Sequence, residues 1–301
     1  MTDSIEPGPS GTTLRREILE LIAFFTLTFA ITFGIGIAVL FFRPQFEAVF
    51  GPLGPLLTSW PYYVAVCAPT ISAILLSVWF GGLAGLANLF RGLVRGFRSR
   101  WLVVALLTFP TALLLWGLIE RTLYGSASHH AIDTHAILVI APLALFTTPN
   151  LFIDPGPWGE ETGWRGFALP RLLALFKPLT AAIILGVIWA LWHAPAFLTS
   201  DLTQAKYSFA WFVIGITFMS VFMTWIYINA NRNYLVAGFI PHAINNLMGI
   251  SNAFSDTRTQ AFILFAIAAA IVAAVGPNLK VRQSQDRRPR PQGAIDRTRE
   301  P

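Results

Sequence analysis

Residues 17–41 read EILELIAFFTLTFAITFGIGIAVLF, a run whose only charges, Glu17 and Glu20, fall within its first four positions. An α-helix rises about 1.5 Å per residue, so about 20 apolar residues cross the hydrocarbon core of a bilayer. This run is long enough with residues to spare. It is too long for a signal-peptide core and is followed by no small-x-small cleavage site, so it reads as a helix that stays in the membrane. Seven further runs share its character: 62–82, 101–121, 136–153, 179–198, 208–229, 235–250 and 260–276. The run over 235–250 is short and carries Pro241, which predicts a kink. Continuous apolar runs, rather than alternating ones, exclude a transmembrane barrel. The fold class predicted is all-α, a polytopic integral membrane protein of about eight transmembrane helices.

Composition agrees. Of the 301 residues 55% are hydrophobic and 12% charged. Soluble domains carry about 25% charged residues, and a soluble core could not hide this much apolar surface. Disorder is excluded on the same ground. The single cysteine, Cys67, excludes a disulfide framework and a CxxC metal or redox site.

Basic residues set the orientation. With both termini cytoplasmic, Arg15, Arg16, Arg91, Arg95, Arg98, Arg100, Arg165, Arg171, Lys177, Arg232 and a basic tail fall inside, against Arg43, Arg121, Lys206 and Arg258 outside. The location expected is the plasma membrane. The organisation read from the sequence is a flexible cytoplasmic N-terminus (1–16), N-terminal transmembrane helices (17–135), a core (136–250), a last transmembrane helix (251–276) and a basic disordered tail (277–301). One stretch stands apart. Residues 158–176, WGEETGWRGFALPRLLALF, follow Pro155 and Pro157 and carry Glu160, Glu161, Arg165 and Arg171. They read as an amphipathic helix at the inner interface, or one dipping into the bundle.

Ionisable groups at membrane depth are costly and are functional candidates by default. Glu161 and Arg165 are four apart and can pair on one helix face, while Glu160 lies about 100° round and is left free. The alternative is a helix N-terminus, where acids suit the dipole. His193, in VIWALWHAPAF, needs a hydrogen-bond partner in an apolar run; a backbone carbonyl would satisfy it. His242 and Asn246, in PHAINN, are again four apart and aim two donors at one spot, as an oxyanion hole requires; polar glue between helices would use the same residues. Together the groups could surround one water as a general base. Equally, Glu160, His193 and His242 could hold a divalent metal such as zinc with an open position. A compact HHxxDxH stretch, His129, His130, Asp133 and His135, could also take a metal but reads as a solvated loop. HExxH, GxSxG and P-loop patterns are all missing from the sequence. The tail has no interleaved aromatics, which argues against nucleic acid as a partner.

The order Glu160-Glu161-x-x-x-Arg165, Trp189-x-x-x-His193, His242-x-x-x-Asn246 resembles the CAAX protease and bacteriocin-processing family of intramembrane endopeptidases, over about 136–250. The resemblance implies a peptide hydrolase acting near the cytoplasmic face on a membrane-associated protein or peptide, with prenylated CAAX chains as one substrate class. By that likeness Glu160 and His193 activate water, His242 and Asn246 steady the oxyanion, and Glu161 and Arg165 support the site. Both a metal-dependent and a metal-free glutamate mechanism stay open. Trp164 and Trp189 stand where the family usually has Phe; as large aromatics they keep the packing and the implied catalytic roles, and the departure bears on the substrate groove. The rival readings are a catalytically inactive immunity or scaffold protein and a proton-coupled transporter. Transport would favour polar residues spread along a path and repeat symmetry, neither of which the sequence displays.

Counted from the inner face, His193 lies about 21 Å along its run and His242 about 10 Å, with Glu160 near the surface. The three can meet only if 158–176 dips inward, bringing Glu160 within about 8 Å of the histidines.

Overall fold

The computed structural model describes residues 11–97, 99–124, 154–250 and 256–281. Every regular element among them is helical, with no strand. Helix α1 spans Gly11–Phe41, α2 Arg43–Phe50, α3 Trp60–Val66, α4 Ala68–Val94 and α5 Ser99–Tyr124. Then come α6 (Pro155–Glu161), a π-helical turn (Thr162–Ala168) and α7 (Leu169–Leu175). Helix α8 spans Pro178–Trp192 and α9 Phe209–Asn229. A second π turn (Leu235–Phe239) leads into α10 (Ile240–Ile250), and α11 spans Thr257–Val275. Short 3-10 turns at Ala194–Leu198 and Thr203–Lys206 join α8 to α9.

Six described helices are long and apolar enough to cross a membrane: those over Thr12–Phe41, Ala68–Val94, Arg100–Leu123, Pro178–Leu198, Phe209–Asn229 and Thr257–Val275. The chain is an integral membrane protein. Large apolar side chains face outward along these helices, Trp79 and Leu83 at about four-fifths exposure, as lipid-facing surfaces do. Inside, Phe24, Phe109, Trp164, Phe167, Trp189 and Phe222 are buried in one continuous core.

Several expected boundaries move. The run 62–82 is broken at Cys67, between α3 and α4, and α4 then continues to Val94 with a bend at Gly82, whose φ of +59° suits only glycine. The run 235–250 is a π turn plus an 11-residue helix, shorter than a span. Residues 11–16, expected to be flexible, already belong to helix α1, where Arg16 pairs with Glu20 at 2.7 Å. Residues 277–281, expected to be disordered, pack on the bundle: Asn229 donates to the Leu279 carbonyl at 2.7 Å and accepts from Val281 N–H at 2.9 Å. The run 136–153, the cluster His129, His130, Asp133 and His135, and the tail beyond 281 lie outside the described residues.

Residues 158–176 take the second of their two expected places and dip into the bundle. The α6–π–α7 stretch is buried for most of its length and runs through the bundle for about 30 Å. Asp154 stands at one end, among residues of the α1 C-terminus; Arg171 stands at the other, bonded to Glu20 near the α1 N-terminus. The sequence explains the burial. Gly159 and Gly163 form one small-residue face, on which a methyl would stand 2.8 Å from the Val66 carbonyl oxygen and 2.5 Å from the Pro69 carbonyl. Backbone-to-backbone approach of this closeness needs glycine.

Charge separates the two ends of the bundle. One end gathers Arg15 and Arg16, then Arg91, Arg95 and Arg100 around the junction of α4 and α5. Arg171, Lys177, Arg232 and Lys280 join them, with Glu17 and Glu20 as acids. The end is knit together by Arg171 to Glu20 at 2.7 Å and Asn233 to the Arg95 carbonyl at 3.1 Å. The Leu179 N–H bonds the Pro277 carbonyl at 3.1 Å there as well. The other end holds Arg43, Arg121, Lys206 and Arg258 with Glu47, Glu120, Asp154, Asp201 and Asp256.

Candidate active site

The two interior helices that carry the acids and His242 each contain a π turn beside the residues in question. Such wide turns are uncommon and favour functional sites. Glu160 and Glu161, adjacent in α6, point to different partners, as the 100° step between neighbours requires.

Glu161 is fully buried and accepts two charged hydrogen bonds on one oxygen. Arg165 Nη1 donates at 2.9 Å and His242 Nδ1 at 2.8 Å. Arg165, also fully buried, stacks its guanidinium 4.1 Å from the Trp189 ring. A buried charge needs this degree of compensation. Gly238, in the second π turn, leaves the room: a methyl there would meet Glu161 Oε2 at 2.6 Å. Because His242 donates from Nδ1 to a carboxylate, its Nε2 is the atom turned to the cleft, and the neighbouring carboxylates favour the doubly protonated ring.

Glu160 faces the other way. Its Oε2 accepts the Trp189 indole N–H at 2.6 Å and lies 3.9 Å from His193 Nε2. His193 closes α8, where Pro195 follows, and its Nδ1 lies 2.9 Å from the Trp189 carbonyl. A carbonyl can only accept, so Nδ1 carries the proton and Nε2 presents a lone pair in the neutral ring. A water about 2.8 Å from both Glu160 Oε2 and His193 Nε2 would subtend an angle near 90°, which suits its two hydrogen-bond directions.

His242 and Asn246 share a face of α10, and both converge above Gly156. A methyl on Gly156 would stand 3.1 Å from Asn246 Nδ2 and 3.6 Å from His242 Nε2. Asn246 Nδ2 donates one hydrogen to Asp154 Oδ2 at 3.0 Å, leaving its second for the cleft. Asp154 in turn caps α6 by accepting the Gly156 N–H at 2.9 Å.

Asp154, Glu160, His193, His242 and Asn246 line one cleft of about 210 Å³, room for several waters. Its wall is completed by Tyr62 of α3 and by Thr32, which accepts the Trp192 indole N–H at 2.8 Å and ties α8 to α1. The structure therefore brings Glu160, Glu161, Arg165, His193, His242 and Asn246 to one place. Sequence reasoning missed Asp154 and took Trp189 for packing alone. The Asp154-Pro155 step is a recognisable helix start and could have signalled the first. The bond from Trp189 could not be foreseen without the fold.

As a metal centre the arrangement fits poorly. Among the described residues no three His, Cys, Asp or Glu side chains gather closely enough to share an ion. Glu160 Oε2 is already taken up by the Trp189 indole N–H.

Residues 135–248 match the family model for Rce1-like type II CAAX prenyl endopeptidases. The core segment is similar to that family. The CAAX prenyl protease 2 of Methanococcus maripaludis is 31% identical over 121 residues, which cover 38% of this chain and 44% of that protein. The chain thus spans under half the length of this curated relative. Every described residue from Asp154 to Asn246 named above falls within the Rce1-like segment.

Proposed function

We propose that the protein is an intramembrane endopeptidase that hydrolyses a peptide bond of a membrane-associated protein or peptide, in a membrane where both its termini are cytoplasmic, the plasma membrane being the natural location. The observation that carries this reading is the pairing of Glu160 Oε2 with His193 Nε2, 3.9 Å apart in a polar cleft otherwise walled by apolar helices.

Glu160 and His193 hold the attacking water and take its proton as it adds to the scissile carbonyl. This is general-base catalysis, worth about 10²–10⁴-fold. The carbonyl oxygen becomes an oxyanion beside His242 Nε2 and the free Asn246 Nδ2 hydrogen. Donors fixed before reaction stabilise that charge without reorganising. Glu161 holds His242 in its donating form, Arg165 balances Glu161, and Asp154 fixes the Asn246 amide. The proton held by Glu160 and His193 then passes to the departing amine as the C–N bond breaks. No step needs a metal, and none is drawn through one.

The named relative makes a prenylated CAAX peptide the first substrate to try. Purified protein in detergent or nanodiscs should cleave either that peptide or a member of a panel of membrane-anchored peptides, and E160Q and H193Q should not. Wild-type rates from either variant would exclude this chemistry.

A further inference from the structure

A second cavity, of about 230 Å³, opens at the basic end of the bundle and shares no lining residue with the catalytic cleft. It lies between α1, α4 and the stretch from the first π turn into α7, and Arg16, Glu20, Ser77, Asn88 and Arg171 line it. Glycine makes the room. The bend at Gly82 brings Gly85 against the Ser77 carbonyl, where no Cβ could stand, and Gly81 and Gly166 line the cavity without side chains. The charged groups are held in place around it. Buried Glu20 accepts Arg16 Nε at 2.7 Å on one oxygen and Arg171 Nε at 2.7 Å on the other. Arg16 Nη2 also donates to the Phe80 carbonyl at 2.9 Å. Arg171 Nη1 donates to the Phe167 carbonyl at 2.6 Å, and its guanidinium lies 3.4 Å from the Phe167 ring. A guanidinium has five N–H groups. Arg16 uses its Nε and Nη2, so the Nη1 pair is left without a partner among the described residues.

Two further groups complete the charge balance. Arg91 bonds the Asn88 side chain, and Glu17 lies 3.8 Å from Arg171. Three guanidiniums against two carboxylates leave one positive charge, which the single negative charge of a phosphodiester would neutralise. The flanks of the cavity are apolar and outward-facing: Leu19 and Ile22 beside Glu20 on α1, Trp79 and Leu83 beside the glycines of α4. Basic pockets between transmembrane helices suit lipid headgroups, and the guanidinium fork matches phosphate oxygens. We propose that this cavity seats the phosphodiester of an anionic phospholipid, whose acyl chains lie along the apolar faces of α1 and α4. Arg16 and Arg171 are the phosphate donors. Ser77 and Asn88 add hydrogen-bonding side chains for a hydroxylated headgroup such as glycerol, whereas a choline headgroup would bring a second cation among the three guanidiniums. The site stands apart from the hydrolase reading and does not depend on it.

The test places the full chain in nanodiscs of equal parts phosphatidylglycerol and phosphatidylcholine and weighs the released protein by native mass spectrometry. The wild type should retain one phosphatidylglycerol in preference to phosphatidylcholine. R16Q leaves the Glu20–Arg171 pair in place and should lower that retention by about tenfold, the size of a lost hydrogen bond to a charged group. R121Q removes a charge at the opposite end and should retain the lipid as the wild type does. Should R16Q melt early, E20Q/R171Q, which removes one charge of each sign, takes its place with the same expectation. Equal retention of the two lipids by the wild type, or equal retention by the cavity variant and R121Q, overturns the proposal. An excess of inorganic phosphate should not displace the lipid; displacement would assign the cavity to free phosphate and overturn the lipid as its occupant.

Discussion

Trp189 donates its indole N–H to Glu160 Oε2 at 2.6 Å while its backbone carbonyl sits 2.9 Å from His193 Nδ1. One residue thus orients both groups proposed to hold the attacking water. It also shields Arg165, whose guanidinium lies 4.1 Å from the same ring. A Phe in this position would keep the ring and the carbonyl but lose the donor. W189F should therefore fold normally and lower kcat by about tenfold or more, the size of a lost hydrogen bond to a charged group, with KM little changed. Steady-state kinetics on the variant checks this.

The Glu161–Arg165–His242 cluster predicts a split between stability and activity. E161A leaves a buried guanidinium unpaired and should destabilise the protein by about 3–5 kcal/mol. The double variant E161Q/R165M removes both charges and should regain most of that stability. It should stay inactive, because His242 loses the carboxylate that keeps it a donor. Thermal melts beside turnover assays separate the two effects.

Asn246 is held by Asp154 at 3.0 Å, and its second amide hydrogen faces the cleft. N246A should cost about 10²–10³ in kcat, the usual loss on removing one oxyanion donor. D154N keeps the size of the side chain but not its charge, so the amide is held less firmly and the loss should be smaller. Rate ratios of the two variants on one substrate provide the check.

Glycine contacts give a purely structural prediction. G163A would press a methyl to within 2.5 Å of the Pro69 carbonyl and should destabilise the bundle by about 1–3 kcal/mol or more. G81A, where nothing lies within 4 Å, should leave the melting temperature unchanged.

The sequence was most readable where physics is local. Apolar runs such as 17–41 and 208–229 declare membrane helices because length and hydropathy suffice. The four-residue spacings placed Glu161 beside Arg165, and His242 beside Asn246, before any fold was known. What stayed hidden was long-range. The path of 155–175 depends on Gly159 and Gly163 meeting the backbone at Val66 and Pro69, a contact between distant segments. Its charges Glu160, Glu161 and Arg165 left both the interface and an inward dip open, because their partners Trp189 and His242 are 29 and 81 residues away from the acids they bond.

Metal removal gives another check. With Glu160 already bonded to Trp189, and no three-ligand cluster among the described residues, o-phenanthroline should leave the rate of the purified protein unchanged. Loss of activity that zinc restores would contradict the water-activation scheme as drawn.

The central claim is that Glu160 and His193 together activate the water. It is tested most directly by single-turnover hydrolysis of an anchored peptide by the wild type, E160Q, H193Q and the double variant, each verified as folded by thermal melt. The account predicts that each single change removes about 10²–10⁴ of the rate and that the double variant is scarcely worse than either, because the pair acts as a unit. Full activity in either folded single variant would contradict it.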